Sequence, residues 1–250
     1  MSKSLGNVIE PLDLKNVYGL DAFRYFLIRE MAFGLDSGFS ESALVGRINA
    51  DLANDLGNLF SRVTAMAHKY FKGVVPAADL QGDPLLTQGL RADAAAAIRE
   101  FETGMSGFMF HKAIAAVWEF ISQMNKFIDV TAPWVLAKSK STSRQLETVI
   151  YNLLEGLRII SGLIFPVMPE TAASMQRHLG QEPGKTFYRM SFLSKWGGLV
   201  SGTVIPKSVS LFPRIDVNKK ENGSAESPLP APDRPVFKPE ISLEEFKKVD

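Results

Sequence analysis

The chain has 250 residues, 46% of them hydrophobic, which is enough to bury the core of one large domain or two modest ones. It has no cysteine, so disulfides and thiolate chemistry are excluded and the reducing cytoplasm is the expected compartment. Lys plus Arg is 28 against 27 for Asp plus Glu, so there is no overall positive field to hold a polyanion, and any nucleic-acid binding must be local and shaped.

Two further classes are set aside by position. His68, His111 and His178 lie far apart, so no metal site is expected. The apolar run from Ile159 to Met168 is too short for a bilayer span and is broken by Pro166, so no membrane is expected.

Met1-Ser2-Lys3-Ser4-Leu5-Gly6-Asn7 is small and polar and reads as a loop. Val8-Ile9-Glu10-Pro11 reads as a short extended piece stopped by proline. From Asp21 to Met31 the apolar stripe of Ala22, Phe23, Phe26, Leu27 and Met31 predicts a helix, broken by Gly34 to Gly38. Ser40 then suits an N-cap for one long helix running to about Lys72, where Gly73 and Pro76 end it. A loop follows to Asp83-Pro84, which opens a helix to about Thr103.

Phe108 to about Val130 makes a third helix of the bundle, and its Met and aromatic stripe is assigned to packing. Thr131-Ala132-Pro133-Trp134 turns a corner. A fourth long helix is expected from Arg144 to Phe165, and a shorter one from Glu170 to Leu179. The fold class is therefore mainly α, an antiparallel helical bundle. The expected organisation is a loop and connecting segment over 1–39, the bundle over 40–190, and a tail over 191–216 that packs back on the body. Residues 217–239, with five of the 14 prolines, read as a disordered linker, and 240–250 as a short apolar-patterned piece with Ile241, Leu243, Phe246 and Val249.

Within the long helix, Ile48, Leu52, Leu56, Leu59 and Val63 fall on one stripe. Asn54, Asn58 and Arg62 recur every four residues on the neighbouring flank, although Asn is a mediocre helix former. Two readings stand side by side. The row is a solvated face, or it offers amides and a guanidinium to something planar and polar such as nucleotide bases.

Ser2-Lys3-Ser4 resembles the KMSKS signature of class I aminoacyl-tRNA synthetases with its first lysine missing, and Leu5-Gly6-Asn7 continues in the family's manner. The resemblance implies a loop that closes over ATP (with Mg2+), in which Lys3 steadies the phosphates as pyrophosphate leaves and Ser2 and Ser4 donate hydrogen bonds. A flexible point charge suits that task, because negative charge shifts onto the leaving group in the transition state.

Downstream, Asp21-Ala22-Phe23-Arg24-Tyr25, Asn49 to Arg62, Ala132-Pro133-Trp134 and Leu211 to Asp216 resemble methionyl-tRNA synthetases in order and approximate spacing. The resemblance implies a connecting fold near the inside of the tRNA's L, then a bundle that reads the CAU anticodon of tRNA(Met). Carried over position by position, Asn54, Asn58 and Arg62 address anticodon bases, and Pro133 with Trp134 forms the corner on which a base stacks.

Ile241 to Asp250 resembles the start of an appended OB-type tRNA-binding domain, the only expected route to a homodimer. The family's HIGH signature, methionine pocket and metal knuckle have no counterpart here. The expectation is thus a methionine–tRNA ligase segment that neither binds ATP nor forms methionyl-adenylate alone, which measurable ATP–pyrophosphate exchange would overturn. The alternatives are an isoleucyl, valyl, leucyl or cysteinyl enzyme, and a stand-alone helical interaction module.

Overall fold

Two 22-residue helices carry the core in the computed structural model, which describes residues 11–31, 33–34, 38–77, 79, 86, 88–184, 188–207 and 209–216. Ser2, Lys3 and Ser4, the Asp83-Pro84 cap, the linker 217–239 and the terminal stretch 240–250 lie outside these residues. In chain order the helices are α1 (Pro11–Tyr18), α2 (Leu20–Glu30), α3 (Glu41–Arg47), a π-helical segment (Ile48–Gly57), α4 (Asn58–Phe71), α5 (Gly89–Ser106), α6 (Phe110–Thr131), α7 (Pro133–Leu136), α8 (Ser143–Ile164), α9 (Pro169–His178) and α10 (Met190–Leu193). Among the described residues the extended pairing is one isolated bridge between Val74 and Val204.

Helix α8 is buried on every side from Thr148 to Ile164, its polar residues Thr148, Asn152, Glu155, Arg158 and Ser161 included. Helices α4, α5, α6 and α9 pack around it, so the core is helix on helix, as the periodicity implied. Burying Glu155 and Arg158 in that core needs full compensation. The Arg158 guanidinium donates to both Glu155 oxygens, at 3.0 and 2.6 Å, and to the Lys195 carbonyl at 2.8 Å. Glu155 also accepts the backbone N–H groups of Gly197, Gly198 and Leu199 at 2.8 to 2.9 Å. The buried pair thereby fastens a strap with no periodicity of its own to the central helix.

The Asp21–Tyr25 stretch works as a clamp. Arg24 donates to the carbonyls of Pro166 and Val167, both at 2.8 Å, where α8 has ended. Asp21 accepts the Thr171 N–H at 2.7 Å and so satisfies one orphan donor in the first turn of α9. One turn of α2 thus holds both sides of the Pro166–Pro169 corner.

Val8, Ile9 and Glu10 lie outside the described residues, and Pro11 begins a helix, because its fixed φ and missing N–H suit a first helical position and Leu14 has a core to enter. One local expectation is corrected. The long helix after Ser40 is not α throughout. Ser40 does cap it, accepting the Ala43 N–H at 3.4 Å, and Lys72 and Gly73 do end it in the left-handed region. Between them, residues 48 to 57 wind as a π-helix.

Candidate nucleic-acid interface

The π-helical segment holds the first half of the polar row. Its closing bond runs from the Asn58 N–H to the Ala53 carbonyl, five residues back. Asn54 and Asn58 are both exposed, and their amides make no hydrogen bond within the described residues. Together with Ala53, Gly57 and Ser61 they form one wall of an open cleft of about 530 Å³. The facing wall is Ser210, Phe212 and Arg214, from the far end of the described chain.

Asn49 brings those walls together. Its side chain donates to the Ile215 carbonyl at 2.9 Å and accepts the Ile215 N–H at 2.8 Å, a two-point grip on an extended segment. Gly57 lies beside the same segment, at a distance where an added Cβ would make ordinary van der Waals contact with the Phe212 carbonyl oxygen, 3.9 Å away. Phe212 and Ile215 also pack against the core.

Arg62 is placed differently from the two asparagines. Its guanidinium meets the Asp129 carboxylate at 3.1 Å, in the last turn of α6, and it does not line the cleft. Three residues after Asp129 the chain turns at Ala132, which sits at φ 42 and accepts the Val135 and Leu136 N–H groups. Pro133 opens the short helix α7 as its first residue. Trp134 is 44% exposed and its neighbour Val135 52% exposed. The corner therefore leaves Trp134 exposed, and Arg62 of α4 is tied to α6 three residues before the turn.

Pro133 is buried and shapes the corner from within, beside the exposed Trp134. Sequence reasoning missed Ser61, Ser210, Phe212 and Arg214 as cleft residues. The matched stretch from Leu211 to Asp216 was visible, but nothing in its spacing says that it lies over Asn54 and Asn58.

The segment is anchored from beneath. Asp51 is buried, and its carboxylate accepts the Tyr25 hydroxyl at 2.6 Å and Arg47 at 3.3 Å, while its carbonyl accepts the Trp118 indole N–H at 3.3 Å. Burial, then the hydrogen bond to Asp51, pushes the Tyr25 hydroxyl well above its ordinary range, so it stays a donor.

Comparison with known proteins identifies the family. A family described as "tRNA synthetases class I (M)" matches residues 1–64, and one described as "Anticodon binding domain of methionyl tRNA ligase" matches residues 75–226. The chain belongs to the methionyl-tRNA ligase family.

Among its relatives, the methionine–tRNA ligase of Caldanaerobacter subterraneus is 43% identical across the whole chain and that of Clostridium perfringens 38%. The chain spans 39% of the length of each. A crystal structure of Mycobacterium tuberculosis methionyl-tRNA synthetase bound by methionyl-adenylate superposes with a TM-score of 0.77 at 38% identity, over 85% of this chain and 41% of that one. The apo form of the same enzyme gives 0.76 at 36% identity, over 83% and 41%. These matches favour the methionyl branch over the isoleucyl, valyl, leucyl and cysteinyl enzymes and over a stand-alone interaction module. Among the described residues, no helix is long and apolar enough to cross a membrane.

Proposed function

We propose that this chain is the tRNA-reading part of a methionine–tRNA ligase and binds tRNA(Met) through its CAU anticodon. Asn54 and Asn58 address base edges from the helix wall of the cleft, Arg214 faces them from the tail, and Trp134 supplies the stacking plane. Arg62, held beside the corner by Asp129, contributes a guanidinium between the two.

The cleft is the observation that carries the reading. Two exposed amides that make no hydrogen bond among the described residues share an open cleft with Arg214, and Trp134 stands exposed at the turn after α6. Single-stranded loop bases are recognised in this way, by edge hydrogen bonds and stacking instead of a broad basic surface.

In the intact ligase, the loop holding Ser2, Lys3 and Ser4 serves ATP-dependent methionine activation, with Lys3 the positive charge for the phosphates of ATP and its Mg2+. Such an enzyme works in the cytoplasm on tRNA(Met), ATP and methionine. Any pairing of two copies belongs to the appended domain suggested by 240–250.

Titrating the chain with anticodon stem-loops carrying CAU and its single-base variants, at one fixed salt concentration, tests the reading. The CAU loop is expected to bind tightest, with a wrong base costing about 1 to 3 kcal/mol. Equal affinity for every loop would overturn it.

A further inference from the structure

Buried positions along the helix from Glu41 to Phe71 do not keep an α-helical rhythm. Asp51 and Leu52 are buried, and the next buried pair is Leu56 and Gly57, five residues on. An α-helix would bring Asp55 inward, whereas here Asp55 is exposed and Leu56 is fully enclosed. The extra residue in the turn is taken up by the π-helical winding, and this happens under Asn54 and just before Asn58.

Two features make that winding specific. At Gly57 an added Cβ would stand 2.9 Å from the Leu52 carbonyl oxygen, closer than side chains tolerate, so the wide turn requires glycine. At Asp51 three groups from three helices converge: Tyr25 from α2, Arg47 from α3 and Trp118 from α6. Tyr25 is fully buried, its ring lies 4.4 Å from that of Trp118, and its hydroxyl's one hydrogen-bond partner among the described residues is Asp51. Arg47 is itself held by Glu30 at 2.9 Å.

We propose that the π turn is a register device for base readout, in which Tyr25, Asp51 and Gly57 are positioning residues that set how the flank carrying Asn54 and Asn58 is turned toward the cleft. The proposal rests on the anticodon reading and assigns a cause to its geometry. A π turn is uncommon and concentrates at functional sites, because it costs helix geometry and is kept where it re-aims side chains. Readout of a base edge tolerates little displacement, so a supporting network that cannot itself touch the RNA still governs discrimination.

A double-mutant cycle on the full 250-residue chain tests this, with CAU and single-base-variant stem-loops as ligands. Tyr25→Phe keeps the ring and removes the donor to Asp51. It is expected to reduce discrimination between CAU and variant loops by about 5- to 10-fold, and adding Asn58→Ala is expected to cost little more than either change alone. A merely structural role for Tyr25 would give losses that add, and additive losses overturn the proposal. So does a Tyr25→Phe chain that discriminates like wild type. Gly57→Ala is a second arm expected to show the same loss, and if that chain does not fold, Tyr25→Phe decides alone. Equal binding of all loops by the wild-type chain would overturn the anticodon reading and this proposal together, whereas intact wild-type discrimination with additive losses overturns this proposal only.

Discussion

Trp134 has two jobs open to a tryptophan at a helix corner, and its 44% exposure separates them. A ring left half in solvent contributes little to the core but offers a face for stacking. Trp134→Ala is therefore expected to weaken CAU stem-loop binding by about 1 to 3 kcal/mol with little change in melting temperature. A large drop in melting temperature would make it a core residue instead. Asp21 gives a prediction of a different kind. Burial raises its carboxyl above the ordinary 3.8, only partly offset by the Thr171 N–H, and its other oxygen has no hydrogen-bond partner among the described residues. The folded state then binds the proton more tightly than the unfolded chain. The contribution is fully present below the ordinary value and is lost as pH rises through the folded value. Asn at this position keeps an acceptor for the Thr171 N–H and has no proton to lose. In urea unfolding at a series of pH values, wild type is expected to lose stability relative to Asp21→Asn on going from acid toward neutral, and a constant difference between the two would refute the assignment.

At the scale of elements, the strap from Lys195 to Leu199 depends on one carboxylate. Glu155 accepts three backbone N–H groups and a guanidinium with no solvent in reach, so deleting it strands Arg158 in the core. Glu155→Ala is expected to cost about 3 to 5 kcal/mol, read from the denaturant midpoint, because removing one partner of a buried pair leaves the other uncompensated. The contrast with Arg62 and Asp129 is instructive. That pair is exposed, at 34% and 66%, and is of the class worth about 0 to 1 kcal/mol, so it orients Arg62 more than it stabilises the bundle. The long helices were legible in sequence because each buries a periodic face. The π turn was not: Ile48, Leu52, Leu56, Leu59 and Val63 advance by four, four, three and four, which the 3.6-residue repeat accommodates, so the sequence reads there as ordinary α-helix. The strap carried no signal either, since its position is set by where Glu155 lies.

For the molecule as a whole, 28 basic against 27 acidic residues limit how it can hold RNA. If readout rests on edges and stacking, few phosphates are neutralised. The slope of log affinity against log salt is then expected to be no steeper than about −2, the value for roughly three phosphate contacts on a single strand. A much steeper slope would mean that a charged track outside the cleft does most of the binding.

The sequence by itself determined the helical class, the positions of the long helices, the capping serine and the corner at Pro133, because these follow from local periodicity and backbone preference. It also brought out the polar row, though not what the row faces. Only the tertiary structure decided that Asn54 and Asn58 share a cleft with Arg214, that Arg62 is tied to Asp129, that Pro133 is buried under an exposed Trp134, and that Tyr25 reaches Asp51. Those are contacts between segments separated by tens to more than a hundred residues. No repeat along the chain encodes them, because they exist only after the core has closed and set the distances.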